Sequence, residues 1–390
     1  MSVEIRTFNQ PWEPLDDPDK PELPYRPGCC LSIRRHLPPP PFGKRYTGEE
    51  PARFDDDWKV RRHMKLTDWA LQTPPRNGSP PHPDPTVHGL QILDALACKD
   101  GRGAQVVRCH LEADPERICV AKIYDPFYYN HLEYDVTWTA DHDYSREAAA
   151  YEVLRDAKVD GKIVPKYYGS WTFDLPVPEV LRESSGVTST TRPVCMILIE
   201  WIAGISLDKI VYDERAVKSI PPALRLEILA RGMENFCTLE SCGVRHNDWA
   251  PRNVVVSPAS GWETNLPAVF IIDFNIADVT KSPYCKIGDY VHPPLPPNPR
   301  YRFWCEWMPR FGMWIPRQYQ DGHTFNGWLA TRWAKEEKGF SNPPQREKDF
   351  KDSPKYYEFV TLEPDSPIRT RWSGRPYPDG SGGSYPESDY

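Results

Sequence analysis

Short runs of β-forming residues and longer runs at helical spacing follow one another through the middle of the chain. Residues 90–97, 105–111 and 118–124 are β-forming, split by the turn-like stretches Lys99-Asp100-Gly101-Arg102-Gly103 and Asp114-Pro115-Glu116. They predict three antiparallel strands. The period then changes. Ala148, Tyr151 and Leu154 recur at helical spacing, with Ser145 placed to cap and Glu147 in the first turn, so a helix is predicted over 145–156. Two further strands are predicted at 164–171 and 194–201. Leu226, Leu229, Met233 and Phe236 share one face of a helix over 222–242, and Gly243 is its stop signal. A small hairpin, 254–256 with 269–272, completes the pattern.

Both ends lack such periodicity. Residues 1–85 are rich in Pro, Asp and Arg and read as mostly irregular, with one short helix around 58–71. Residues 341–390 read as a low-complexity tail ending in a Gly/Ser cluster. Between them the element order suggests two parts, 86–203 and 204–340. Proline supplies 44 of the 390 residues, roughly twice its usual share of about 5%, and explains the polar-looking ends.

Net charge is −7, and no basic stripe marks a nucleic-acid face. The most apolar run, 194–205, is too short to span a bilayer and contains Glu200. The first 20 residues are acidic and lack the apolar core of a secretory signal. The expectation is an intracellular, cytoplasmic protein without nucleic-acid or membrane partners. Ten cysteines without a C-x-x-C pair argue against a zinc site or a disulfide framework.

The densest chemistry lies in His246-Asn247-Asp248-Trp249-Ala250-Pro251-Arg252-Asn253, which fits H-x-D-x-x-x-x-N. A carboxylate there orients a nucleophile's proton, and an amide oxygen five residues on reaches a metal. The apolar run 269–272 then ends in Asp273-Phe274-Asn275, a D-F-G-like turn with Asn for Gly, and Asn tolerates a left-handed backbone. Val120-Ala121-Lys122 closes the third predicted strand, and Glu147 is the carboxylate chosen to hold that lysine. Gly101 and Gly103 supply two of the three glycines of a phosphate-capping loop, and an ordinary hairpin turn explains them equally well. Residues 197–204, with Glu200 and Ile202, read either as an adenine-binding crossover or as a plain buried strand. Trp304, Trp307, Trp314, Trp328 and Trp333 either line an acceptor pocket or cover a core.

Taken in order over residues 90–279, these motifs resemble the protein-kinase-like superfamily. Ala250-Pro251-Arg252-Asn253, the Asp273–Ala277 continuation and Trp314-Ile315-Pro316 look most like kinase-like proteins of filamentous fungi. The resemblance implies an α+β, bilobal fold, with an antiparallel-sheet N-lobe carrying one helix and a helical C-lobe. It also implies ATP and Mg²⁺ as cofactors. Asp248, Lys122 and Glu147 would be catalytic. Gly101, Gly103, Lys122, Glu200 and Ile202 would lie on the nucleotide, and Asn253 and Asp273 on the metal. The acceptor would be a hydroxyl on a protein or a small molecule. No A-P-E motif follows Asp273, and Ala250 stands where many kinases carry a lysine. Two functions therefore stay open: a phosphotransferase, and a pseudokinase that serves as a nucleotide-binding interaction module.

Overall fold

The computed structural model describes residues 15–47, 60–76, 81–130, 135–262, 266–286, 295–304, 306, 308–333 and 339–341. Trp307 and nearly all of the expected tail lie outside them.

Two elements come from the Pro-rich extension: strand β1 (Cys30–Arg35) and helix α1 (Leu66–Gln72). β1 was not expected. Its Leu31 and Ile33 alternate inward, as a half-buried strand requires. It pairs antiparallel with β2 (Val87–Ala97), from Cys30↔Gln91 to Arg34↔Val87. β3 (Gln105–Leu111) and β4 (Asp114–Tyr124) continue the sheet in sequence order.

Helix α2 (Val136–Asp156) starts nine residues before the expected position. Asp135 caps it, not Ser145: its carboxylate accepts from the Thr137 and Trp138 amides at 2.9 and 3.0 Å. Val136, Ala140 and Tyr144 extend the buried stripe of Ala148 and Tyr151 backwards. The Thr, Asp and His residues between them, which favour caps and turns, masked that stripe in the sequence. Ser145 is buried within the helix and donates to the His142 carbonyl at 3.3 Å.

β5 (Tyr167–Pro176), α3 (Glu179–Ser185) and β6 (Thr191–Glu200) follow, and β6 pairs with both β4 and β5. Arg34↔Thr172 and Arg35↔Trp171 then join β1 to β5. The sheet is therefore a closed barrel, β1-β2-β3-β4-β6-β5, where five strands were expected. Closure leaves β2 and β5 without free edges. Tyr25, Phe42 and Tyr46, also from the extension, are buried at 1%, 0% and 2% exposure, so residues 25–46 belong to the folded body.

Beyond the barrel lie β7 (Ile205–Ser206), α4 (Asp208–Val211), α5 (Glu214–Ser219) and α6 (Pro222–Cys242). α6 ends as expected on Gly243, whose φ of 94° makes the left-handed cap. β8 (Val244–Arg245), a 3₁₀ turn at Pro251–Asn253, β9 (Val254–Ser257), β10 (Ala268–Ile271) and β11 (Asp278–Val279) carry the motif residues. β9 and β10 form the expected hairpin, β7 adds a third strand to it, and β11 pairs with β8. α7 (Pro299–Arg302) and α8 (Gly322–Arg332) follow.

Trp314 and Trp333 are buried core cover, and the Trp314 indole donates to the Arg225 carbonyl at 2.9 Å. Cys109, Cys119, Cys195, Cys237 and Cys242 are buried free thiols. No helix among the described residues is long and apolar enough to cross a membrane.

Candidate active site

Lys122 lies near the end of β4, opposite Ile197 of β6. Its Nζ donates to Glu147 Oε2 of α2 at 2.5 Å and to Asp273 Oδ1 at 2.6 Å. Three elements thus meet at one ammonium group. Glu147 is fully buried and also accepts from the Tyr124 hydroxyl at 2.8 Å and the Phe274 amide at 3.2 Å. Burial works against the Lys122 charge, but Asp273 and then Glu147 outweigh it and raise its pKa above the ordinary lysine value. Burial raises the Glu147 carboxyl, with Lys122 opposing. Burial pushes Asp273 the same way, but Lys122 prevails and holds it below the usual carboxylate range. Losing one member would strand buried charge, at a cost of about 3–5 kcal/mol.

The loop after β8 is built around His246. Its buried ring donates from Nε2 to the Ile272 carbonyl at 2.8 Å and accepts the Asp248 amide on Nδ1 at 3.3 Å. Burial lowers its pKa, so the ring is neutral. The Ile272 amide donates to the Asn253 carbonyl at 3.0 Å, which sets Asn253 beside Asp273. Left-handed backbone occurs at Asn247 (φ 63°) and Asp273 (φ 71°). It does not occur at Asn275, where the D-F-G-like reading placed it. Asn and Asp are the non-glycine residues that tolerate this region. The Asn247 amide donates to Asp278 Oδ2 at 2.8 Å and to the Ile276 carbonyl at 3.0 Å.

Asp248 is more confined than expected. Its Oδ2 accepts from Arg252 Nη2 at 2.6 Å and Asn253 Nδ2 at 2.8 Å, and its Oδ1 from Arg310 Nη1 at 3.0 Å. Arg310 carries no sequence signal. It arrives because Phe311 stacks on Trp249 with centroids 5.0 Å apart.

The nucleotide-side expectations meet mixed surroundings. Gly101 has φ 75°, and the Gln105 side chain ties its loop through Lys99 and Gly103 at 2.8–3.1 Å, so a tight hairpin turn is present. The Glu200 amide donates to the Lys166 carbonyl at 2.8 Å, and its carboxylate accepts the Lys166 amide at 3.0 Å. Ile202 follows β6, its carbonyl accepts from the Gly204 amide at 2.8 Å, and its own N–H takes no partner among the described residues.

One feature of the site had no precursor in the motifs. Residues 45–47 strap the segment after Asp273. The Tyr46 hydroxyl accepts the Val279 amide at 2.7 Å and donates to the Ala277 carbonyl at 3.3 Å. Arg45 pairs with Asp278, and the Lys286 amide donates to the Arg45 carbonyl at 2.7 Å. Arg146 of α2 reaches the same buried Asp278 at 3.6 Å.

No family model matches the chain. Over 86 residues it is 29% identical to a putative cyclin-dependent kinase F-2 of Oryza sativa subsp. japonica, covering 22% of this chain and 24% of that protein. The chain resembles protein kinases. It spans about a quarter of the length of that curated relative. Among solved structures, the BubR1 kinase domain matches at 10% identity and TM-score 0.33, covering 50% of this chain and 48% of that one. The Mycobacterium tuberculosis PknI kinase domain matches at 16% identity and TM-score 0.30, covering 48% and 60%.

Among the described residues no group of three or more His, Cys, Asp and Glu side chains is placed to hold a metal ion. Mg²⁺ asks for less: one or two protein oxygens, with phosphate oxygens and water completing the octahedron. Asn253 Nδ2 is fixed on Asp248, which leaves Asn253 Oδ1 without a partner among the described residues. Asp273 commits Oδ1 to Lys122 and keeps Oδ2. This hard-oxygen pair fits Mg²⁺.

Proposed function

We propose that the chain is an ATP- and Mg²⁺-dependent phosphotransferase that moves the ATP γ-phosphoryl group to a hydroxyl acceptor. The observation that carries this reading is the double ion pair of Lys122 with Glu147 and Asp273, residues 25 and 151 positions away in sequence. A buried lysine held by two carboxylates beside an H-x-D loop has phosphate positioning as its natural use. The likeness to fungal kinase-like proteins belongs to the same reading.

In this account Glu147 fixes Lys122, and Lys122 orients the α- and β-phosphates. Asn253 and Asp273 would hold Mg²⁺, which neutralises charge on the phosphates when bound. The Ile202 N–H, without a partner among the described residues, suits an acceptor nitrogen of adenine, and Gly101 and Gly103 let the loop backbone come close to phosphate. Asp248 would orient the acceptor hydroxyl and take up its proton as the bond from the acceptor oxygen to the γ-phosphorus forms and the bond to the bridging oxygen of the departing ADP breaks. Since both Asp248 oxygens are engaged, the acceptor must displace a guanidinium, and half-exposed Arg310 is the one not tied to the loop. The acceptor is a protein or a small molecule, and the reaction suits an intracellular compartment.

A second reading, a pseudokinase module that binds nucleotide without transfer, draws on that same confinement of Asp248. Both readings require metal-dependent nucleotide binding. ATP with Mg²⁺ should raise the melting temperature, by about 2.7 kcal/mol of stabilisation at 100 times the dissociation constant. Chelation or Asp273→Asn should remove most of the shift. No shift at saturating nucleotide, with or without metal, would defeat both.

A further inference from the structure

Arg146 of α2 is buried, at 5% exposure, and directly precedes Glu147 in the chain. Successive residues leave a helix about 100° apart, so the two side chains enter different spaces. Glu147 meets Lys122 at 2.5 Å. Arg146 enters a socket made by the N-terminal extension and by the segment after Asp273. Its Nε donates to the Phe42 carbonyl at 3.1 Å and its Nη2 to the Lys44 carbonyl at 2.8 Å. Its Nη1 faces Asp278 Oδ1 at 3.6 Å, and the guanidinium lies 4.8 Å from the Tyr46 ring centroid. Each nitrogen of the fork is thus turned to an oxygen outside α2.

The socket is closely fitted. Gly43 has φ 90°, and a Cβ there would stand 3.1 Å from the His142 ring and 3.3 Å from Arg146 Nη2. Any larger residue would push the extension off the helix, on a backbone that already favours glycine. Phe42 packs edge-on against Trp138 and His142, with centroids 5.4 and 5.8 Å away. Trp138, His142 and Arg146 follow at four-residue steps, so the extension grips one face of α2. Asp278 carries the contact onward. Arg45 pairs with it, and Asn247 Nδ2 donates to its Oδ2 at 2.8 Å, one residue from Asp248. Burial works against the Arg146 charge, as does Arg45, while Tyr46, Asp278 and Asp143 support it.

We propose that Arg146 is a positioning residue: by locking α2 to the Phe42 and Lys44 carbonyls and to Asp278, it sets the depth at which Glu147 meets Lys122. A turn or slide of α2 that withdrew Glu147 would have to break these contacts too. The consequence for nucleotide rests on the phosphotransferase reading; the effect on Lys122 does not.

Brief acetylation of the full chain with acetic anhydride, well below the melting temperature, tests this. Mass spectrometry follows Lys122 and, as reference, exposed Lys218. The reagent takes the free amine, which the paired carboxylates suppress at Lys122. Arg146→Gln should raise Lys122 labelling at least about tenfold, the change in free amine that one pKa unit brings, with Lys218 unchanged. Gly43→Ala leaves every charge in place and should raise it at least about threefold, half that shift. Trp314→Phe, whose contacts lie with Arg225 and Trp262, should lower the melting temperature and leave Lys122 labelling at the wild-type level. ATP with Mg²⁺ should bind Arg146→Gln at least about tenfold more weakly, as one lost charge-assisted contact implies. Unchanged Lys122 labelling in folded Arg146→Gln or folded Gly43→Ala would overturn the assignment. An equal rise in Trp314→Phe would do the same, since it would mean general loosening. If Arg146→Gln does not fold, Gly43→Ala decides. A wild type that binds no nucleotide defeats the phosphotransferase reading alone, because the labelling result stands without it.

Discussion

His36 shows how a single side chain ties the extension to the site. It follows β1, its Nδ1 lies 2.6 Å from the Tyr144 hydroxyl of α2, and its ring stacks on Tyr144. Burial first, then the charges of Arg34 and His82, lower its pKa from 6.5 to about 4. A histidine held neutral in the fold contributes stability that is fully present above pH 6.5 and drains away as pH falls towards 4. The loss over that window should approach about 3 kcal/mol. Denaturant melts from pH 7 downwards should show the decline, and His36→Gln should flatten it. Equal slopes in the two proteins would remove His36 from the account. At this scale the grouping of side chains was partly legible. Motif order alone singled out Lys122, Glu147, Asp248, Asn253 and Asp273, and the structure brings Lys122 to Glu147 and Asp273, and Asn253 to Asp248. Arg310 and Tyr124 were not singled out, because their partners lie 62 and 23 residues away and neither occupies a motif position.

Pairing across long stretches of chain explains what was and was not readable among the elements. α6 begins and ends where its apolar spacing and Gly243 place it, since helix signals are local. β1 is six residues with two inward apolar positions, and its partners β2 and β5 lie far along the chain. Nothing local marks such a strand off from a polar loop. The strap at 45–47 is of the same kind, for its partners are residues 277–286. It binds the segment that follows Asp273, where an activation segment is not recognisable in the sequence. Tyr46→Phe keeps the packing and leaves the buried Val279 N–H without an acceptor, a cost of about 1–3 kcal/mol. Hydrogen exchange should be faster at Val279. Removing residues 1–47 should go further, because it opens the paired edges of β2 and β5 and takes Ile33 and Tyr46 out of the core. Such a truncation should lose the cooperative melt. If it melts like the full chain, the extension is an appendage and the barrel account fails.

Seen whole, the molecule sets a closed barrel, helix α2 and a helix-rich segment around the cluster of Lys122, Glu147 and Asp273. α2 is central to this arrangement. It carries Glu147 to Lys122 and Arg146 to Asp278, so the barrel, the strap and the segment after Asp273 share one support. The central claim is that this cluster transfers phosphate with Asp248 as the group that orients the acceptor. The direct measurement is release or transfer of the ATP γ-phosphate by purified protein, wild type beside Asp248→Asn, with melting temperature and ATP affinity taken on the same preparations. Asparagine keeps the shape of the side chain and removes the charge; its one oxygen can serve the Arg252 and Asn253 side, and its NH2 then faces exposed Arg310, which can swing away. The account predicts metal-dependent transfer by the wild type. In Asp248→Asn it predicts a loss of roughly 10²- to 10⁴-fold, or about 3–5 kcal/mol of barrier, with ATP affinity near normal. Undiminished transfer by a fully folded Asp248→Asn, or a wild type that binds ATP with Mg²⁺ and transfers nothing across a broad panel of hydroxyl acceptors and water, would contradict it.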